Sequence, residues 1–453
     1  RRGYKQGCDA VKFFARRRLC RMIFCVVCLL PTLVVGTAVI VFHTPLYRAA
    51  QADAWQRWLS SQLGVEVQLT EIRACGGRRW LASGLECRDP ESHAWLVRVR
   101  SADIARTARG WQVLLGQPQI NVRHPSRLAT LVHERVMQRS HILQTPIQLA
   151  SAAVELTDES RSESVLDVRS AMDAQAAGTE LLLEFRVPTS APDVRTRMRF
   201  VRNRQLDPPA SGWELHTDAT GLPCSVALPW LPALRHLGAA CVFQGSVWCE
   251  QQPAGWDAEL RGTFRAVDLQ QLVTRQFPHK LSGSAEFTLR RCTIEAGRVT
   301  DVQGRLVSTG GMVSQSLLDA AAQTLGLTQG ARADDDGLLP YQDLAVEFSL
   351  SAAGLVLAPA GSPDAPLLTD RDGPLLSVRD LAPRSPLSLV HLLVPQVDMH
   401  VPATRETAAI VQVLPLPELS VRPATAQRTT YSTLELVLPS QSVPGTPAAE
   451  SRR

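Results

Sequence analysis

Apolar residues recur at every second position in several separate stretches of this chain, and no other feature constrains the fold as strongly. Val65, Val67 and Leu69 alternate with Glu66, Gln68 and Thr70; Trp95, Val97 and Val99 alternate with Leu96, Arg98 and Arg100. The same spacing recurs at Leu181, Leu183, Phe185 and Val187, at Trp256, Ala258 and Leu260, at Ala285, Phe287 and Leu289, and at Leu344, Val346, Phe348 and Leu350. In an extended strand successive side chains point to opposite faces, so this period makes one face apolar and leaves the other wet. That is the pattern of half-buried antiparallel strands. Thirty Pro and 28 Gly among 453 residues add frequent turns and argue against a bundle of long helices.

A second feature is a stretch with no charge, Met22 to Phe42 (MIFCVVCLLPTLVVGTAVIVF). As a helix it would reach ~30 Å, the thickness of a bilayer's hydrocarbon core. Arg16, Arg17, Arg18 and Arg21 precede it, and the first Arg after it is Arg48. The positive-inside rule then sets residues 1–21 in the cytoplasm and the rest of the chain across the membrane. The competing reading is a cleaved signal peptide, but the apolar run exceeds the usual 7–15 residues and the nearest A-x-A, Ala50-Gln51-Ala52, lies well beyond it. The expectation is an uncleaved single-pass transmembrane helix.

The formal charge of +5 belongs to the N-terminal tail. Residues 1–21 hold eight basic residues and one acidic, so they carry +7 and the remainder about −2. A nearly neutral body without a basic stripe excludes a nucleic-acid partner.

Six cysteines lie beyond the apolar run: Cys75, Cys87, Cys224, Cys241, Cys249 and Cys292. Across the membrane they face an oxidising compartment, where six allow up to three disulfides in 15 pairings. Cys75 and Cys87 flank a Gly-Gly and a Ser-Gly stretch and are placed to staple one hairpin.

Helical signals are few. Residues 46–63 read as a short amphipathic helix with Trp55, Trp58, Leu59 and Leu63 on one face and Gly64 as its stop. The Trp pair suits either a membrane interface or packing on the first sheet. Further short helices are expected at Pro125–Ser140, Val267–Arg275 and Ser314–Leu325. Two stretches resemble each other, with Gly245, Gly255 and Gly262 matched by Gly283, Gly297 and Gly304, each reading strand, Gly turn, strand, Gly, strand, short helix. The domain reading is therefore a basic tail (1–21), a transmembrane helix (22–42), the amphipathic helix (46–63), β-rich regions at 64–240 and 241–400, and a Pro/Ala/Ser/Thr-rich tail (401–453) with a disordered end.

Enzyme signatures are missing from the sequence: there is no H-E-x-x-H, G-x-S-x-G, Walker loop or G-x-G-x-x-G. Asp334-Asp335-Asp336-Gly337 lacks the alternating ligand spacing of a calcium loop and reads as a solvated turn. His93, His124, His133 and His141 have no Cys or carboxylate at ligand spacing. The expectation is a non-enzyme with no metal and no cofactor.

Three regions carry a family resemblance: Gly64-VEVQLTEI after the helices; Leu81-ASGLECRDP with Val97-RVRSADI and Trp111-QVLLGQPQINV; and Gly262-TFRAVDLQQLV followed by Leu281-SGSAEFTL. Together they resemble the AsmA-like family of bacterial envelope proteins, the group that includes the TamB and YhdP types. The resemblance implies an inner-membrane anchor, a periplasmic body, and an elongated antiparallel sheet curled into a groove. It implies a role in cell-envelope and outer-membrane biogenesis, with membrane lipids as partners and phospholipid as cargo. An apolar trough can hold acyl chains at ~0.8 kcal/mol per buried CH2. The residues expected to line it are Val97, Val99, Leu183, Phe185, Trp256, Leu260, Phe287, Leu289, Val346 and Phe348. The alternative is an envelope scaffold or adaptor whose sheet edge pairs with another envelope protein.

Overall fold

A computed structural model describes residues 21–137, 145–158, 161–175, 178–207, 209–253, 255–330 and 337–393. The basic tail before Arg21, the Asp334–Asp336 cluster and the 401–453 tail lie outside the described residues.

Helical backbone runs from Arg21 to His43, first through a π turn at Cys25–Leu29 and then through α1 (Leu30–His43). Among the described residues no helix is long and apolar enough to cross a membrane. The expected 22–42 segment is a helical run in two parts. Next comes α2 (Pro45–Leu63), with Pro45 in its first turn and Gly64 closing it in the left-handed conformation.

The chain is then mainly β. Nine strands follow: β1 (Glu66–Gly76), β2 (Arg79–Arg88), β3 (Trp95–Thr107), β4 (Gly110–Asn121), β5 (Ile147–Thr157), β6 (Ser162–Gln175), β7 (Gly178–Arg186), β8 (Thr196–Asn203) and β9 (Ala210–His216). Each pairs antiparallel with the next, except that β4 and β5 run parallel. Parallel neighbours need a crossover, and α3 (Pro125–Thr130) with a π turn at Leu131–Met137 supplies the described part of it.

Beyond β9 come β10 (Leu222–Pro223), α4 (Cys224–Ala227), β11 (Val242–Gln252), β12 (Gly255–Asp268), β13 (Ser284–Glu295), β14 (Arg298–Ser314), α5 (Gln315–Leu325), β15 (Leu327–Gln329), β16 (Leu338–Ser351), β17 (Gly354–Pro359), β18 (Leu368–Thr369), β19 (Pro374–Val378) and α6 (Ser388–Leu393). β9 pairs with β11, so the sheet continues from residues 64–240 into 241–400 without a break. The described strands form one 19-stranded sheet.

The repeat takes a simpler form than expected. Gly255 and Gly297 sit in the turns of the β11–β12 and β13–β14 hairpins, but Gly262 and Gly304 lie inside single long strands. Gly304 is needed there because a Cβ would stand 2.5 Å from the Phe348 ring and 2.6 Å from the Thr288 carbonyl oxygen.

One irregularity keeps the apolar side continuous in the first half. Buried positions step from Leu69 to Ile72 in β1 and from Val99 to Ala102 in β3, an odd offset that should turn the side chains over. Register nevertheless holds across the step. Gly84, Gln117 and Asp167 all have positive φ (63°, 51° and 48°) and mark a crease through the sheet. An extra residue at corresponding places in neighbouring strands shifts the parity of all of them together, as aligned bulges do.

Candidate functional site

The cross-strand register sorts the alternating residues into rows. Directly opposed residues share a face, so a chain of pairings traces one line across the sheet. One such line starts Ala74–Trp80–Ile104–Val113–Leu149 in β1 to β5. It passes through Ser170 to Leu183, Met198 and Leu215 in β7 to β9. It ends Val247–Leu260–Cys292–Val302–Leu350–Leu355, reaching β17. Ser170 is its polar member. At ~4.8 Å per strand the line is roughly 65 Å long. From Trp80 to Val302 its side chains are half-buried, neither sealed in a core nor fully in solvent.

The adjacent row, one residue along each strand, is its chemical opposite over much of its length. There Arg169, Glu184, Arg197 and His216 are successive cross-strand partners, with Ser246 and Arg261 after them. Ion pairs stitch this face. Arg197 Nη2 lies 2.9 Å from Glu184 Oε1, and Arg79 Nε donates to Asp103 Oδ1 at 2.8 Å. The Arg79 hydrogen bond and charge hold the Asp103 carboxyl below its ordinary range. Burial raises Glu86, but Arg98 and Arg88 outweigh it and leave that carboxyl lowered. Solvent screens these pairs, so they add little to stability. A depression of about 600 Å³ on this polar side is lined by Arg79, Asp103, Gln112, Leu114, Arg169 and Glu184 among others.

Beside the apolar row in the second half lies an aromatic ladder. Phe243, Phe264 and Phe287 are cross-strand partners, and the Phe348 ring stacks on Phe287 with centroids 5.6 Å apart and planes 4° from parallel. Phe243–Phe264 and Phe264–Phe287 centroids lie 4.8 and 6.2 Å apart. The Phe243 and Phe264 end is buried, while Phe287 and Phe348 are half-buried.

Of the expected lining residues, Leu183 and Leu260 belong to the central row itself. Val97, Trp256, Phe287, Val346 and Phe348 are half-buried. Val99, Phe185 and Leu289 are 3%, 8% and 5% exposed, so they are core residues rather than a free surface. The row also contains Ile104, Val113, Leu149, Met198, Leu215, Val247 and Val302, which sequence reading missed. A period-two signal exists around Trp213 and Leu215, but only the register shows that they share a line with Leu260.

The expected Cys75–Cys87 staple is corrected by the same register. Cys75 lies at the β1–β2 turn, where Ala74 faces Trp80; Cys87 faces Val67 near the far end of the hairpin. They are roughly 25 Å apart at ~3.3 Å per residue, far beyond disulfide reach. Cys87 is buried, which pushes its thiol up to about 11; Cys75 is exposed.

Helix α2 divides its Trp pair. Trp55 packs on the first strands, 6.0 Å from Trp80, which is 5.8 Å from Trp111, and Leu59 and Leu63 join the neighbouring core. Trp58 meets Trp55 edge-on, ring centroids 5.5 Å apart, and is 50% exposed. The helix also covers the outer edge of β1: Val67 N–H donates to Ser60 Oγ at 3.0 Å, and Gln56 Nε2 donates to the Leu69 carbonyl at 2.8 Å. At the other end, Leu355 on β17 exchanges both backbone hydrogen bonds with Arg384. Among the described residues no group of three or more His, Cys, Asp or Glu is placed to hold a metal.

No family model, curated protein or solved structure significantly matches the chain.

Proposed function

We propose that this chain is a membrane-anchored, periplasm-facing envelope protein of the AsmA-like kind, whose apolar sheet face holds the acyl chains of phospholipids. The observation that carries the reading is the half-buried apolar row from Trp80 to Val302. A soluble sheet normally buries such a face under a second layer. Here helices and loops form cores beside the row, yet the row itself keeps part of its surface accessible. Acyl chains lying along it would bury apolar area at ~25 cal/mol per Å².

The anchor reading rests on the helical run from Arg21 to His43. Met22, Ile23, Phe24, Val26, Val27, Leu29, Leu30, Leu33, Val34 and Val35 are each between 50% and 65% exposed. Thr32 and Thr37 turn their hydroxyls back onto the Cys28 and Leu33 carbonyls, which satisfies them in an apolar surround. The π turn alters the hydrogen-bond pattern of the run but not its apolar surface. The scaffold reading finds less support, because Ser60, Gln56 and Arg384 occupy backbone positions on the sheet's outer edges that a partner strand would need.

The test is site-specific photocrosslinking in native membranes. A benzophenone side chain at Leu260 or Val247 is expected to capture phospholipid, identified by mass spectrometry of the adduct. The same probe at Arg261 should capture little. Equal capture at both positions, or none at Leu260 in folded protein, would overturn the proposal.

A further inference from the structure

Cys224 and Cys241 are separated by 17 positions in the chain and meet across it. Leu222 faces Phe243 and Pro223 faces Val242 in the β10–β11 ladder, so continuing that register by one residue sets Cys224 opposite Cys241. Cys224 N–H donates to the Cys241 carbonyl at 2.9 Å, which holds the two backbones at ladder spacing. Opposed residues in antiparallel strands have Cα atoms ~4.5–5.5 Å apart, inside the range a disulfide requires. The sulfurs themselves are 3.2 Å apart. Both residues are buried, at 3% and 0% exposure.

We infer that Cys224 and Cys241 form a disulfide in the mature protein. The other cysteines are placed differently. Cys249 faces Ala258 and Trp213, Cys292 faces Leu260 and Val302, and Cys75 and Cys87 are at opposite ends of their hairpin. Among these six cysteines the register brings one pair face to face. The bond closes the excursion that holds α4 and a 3-10 turn at Pro232–Leu237, and it fastens β10 against β11 where the sheet passes from its first half to its second. Trp230 and Leu231, 40% and 54% exposed, lie on the loop so closed.

Formation is an oxidation by thiol–disulfide exchange. Each cysteine loses a proton and an electron, the new S–S bond forms, and the disulfide of the oxidant, such as glutathione disulfide, is reduced to two thiols. Because both sulfurs are buried, the exchange belongs to folding, before the site closes.

The experiment uses the full chain, unfolded and reduced in urea, then refolded into detergent in a glutathione redox buffer, with strand content followed by circular dichroism. Free thiols are then trapped with N-ethylmaleimide under denaturing conditions and the peptides mapped. The expected result is one linked species joining Cys224 to Cys241, with Cys87, Cys249 and Cys292 alkylated. A Cys224→Ser/Cys241→Ser variant should refold with a lower urea midpoint that reductant no longer shifts, while reductant lowers the wild-type midpoint. Recovery of Cys224 and Cys241 both alkylated from refolded protein in the most oxidising buffer, or linkage of either to another cysteine, would overturn the inference.

Discussion

The two halves of the sheet carry the same apolar row but build their cores differently. Strands β1 to β9 carry three small clusters: one around Ile72, Ala82 and Ala102 under α2, one around Val67 and Leu96, and one around Val154, Phe185 and Val187 that Leu222 and Val226 complete. The strands after them share a single cluster that runs from Cys224 to Leu376 and takes in Leu318, Ala321 and Leu325 of α5. The first half divides its apolar side chains among separate clusters and carries a crease; the second joins phenylalanine rings and the α5 helix into one. Local stability follows the number of large apolar groups sealed together, so the second half should be the harder to open.

The sharpest way to break that comparison is a pair of truncations, one in each half. Leu318→Ala, in the large cluster, should cost about 2–5 kcal/mol of unfolding free energy. Val154→Ala, in a small cluster, removes two carbons and should cost about 2 kcal/mol. Chemical denaturation measures both, and an equal loss per carbon removed, three at Leu318 and two at Val154, would mean that the halves do not differ.

A smaller effect is expected at the crease. Gly84 has φ of 63°, and an added Cβ would stand 2.2 Å from Thr70 Oγ1. Gly84→Ala should destabilise by about 1–3 kcal/mol, from left-handed strain and overpacking together. An unchanged denaturation midpoint would show that the crease is not held by this contact.

Cys87 reports on the β1–β2 register without any change in stability. At pH 8 a thiol shifted to about 11 is ionised in about one molecule in a thousand, and the thiolate is the reactive form. Cys87 in the native protein should therefore alkylate more than ~100-fold slower than exposed Cys75, with its rate rising about tenfold per pH unit until it approaches that value. Similar rates for the two cysteines would refute the burial of Cys87.

Much of the fold was legible residue by residue. Val65, Val67 and Leu69 are buried as their spacing predicts, α2 stops at Gly64, and α5 begins after Ser314. Less of the site was legible. Leu183 and Leu260 were found because their own strands alternate cleanly, but nothing local to either says that they lie on one line. Leu289 alternates as regularly as Phe287 yet is sealed in the core, because neighbouring strands and not its own decide what covers it. The Cys75–Cys87 expectation failed for the same reason: nearness to glycine turns says where a hairpin bends, not which residues face each other across it.

Alternation of apolar and polar side chains is a property of each strand alone, since the extended backbone turns successive residues to opposite sides. The sequence by itself therefore determined that this chain is a sheet with one apolar face, and that an uncharged helical segment precedes it. Which residues become neighbours across strands was decided only in the tertiary structure. Hydrogen-bond register couples positions tens or hundreds of residues apart, and one extra residue at a crease inverts every side chain beyond it. The row through Leu260 and the meeting of Cys224 with Cys241 both depend on that long-range registration.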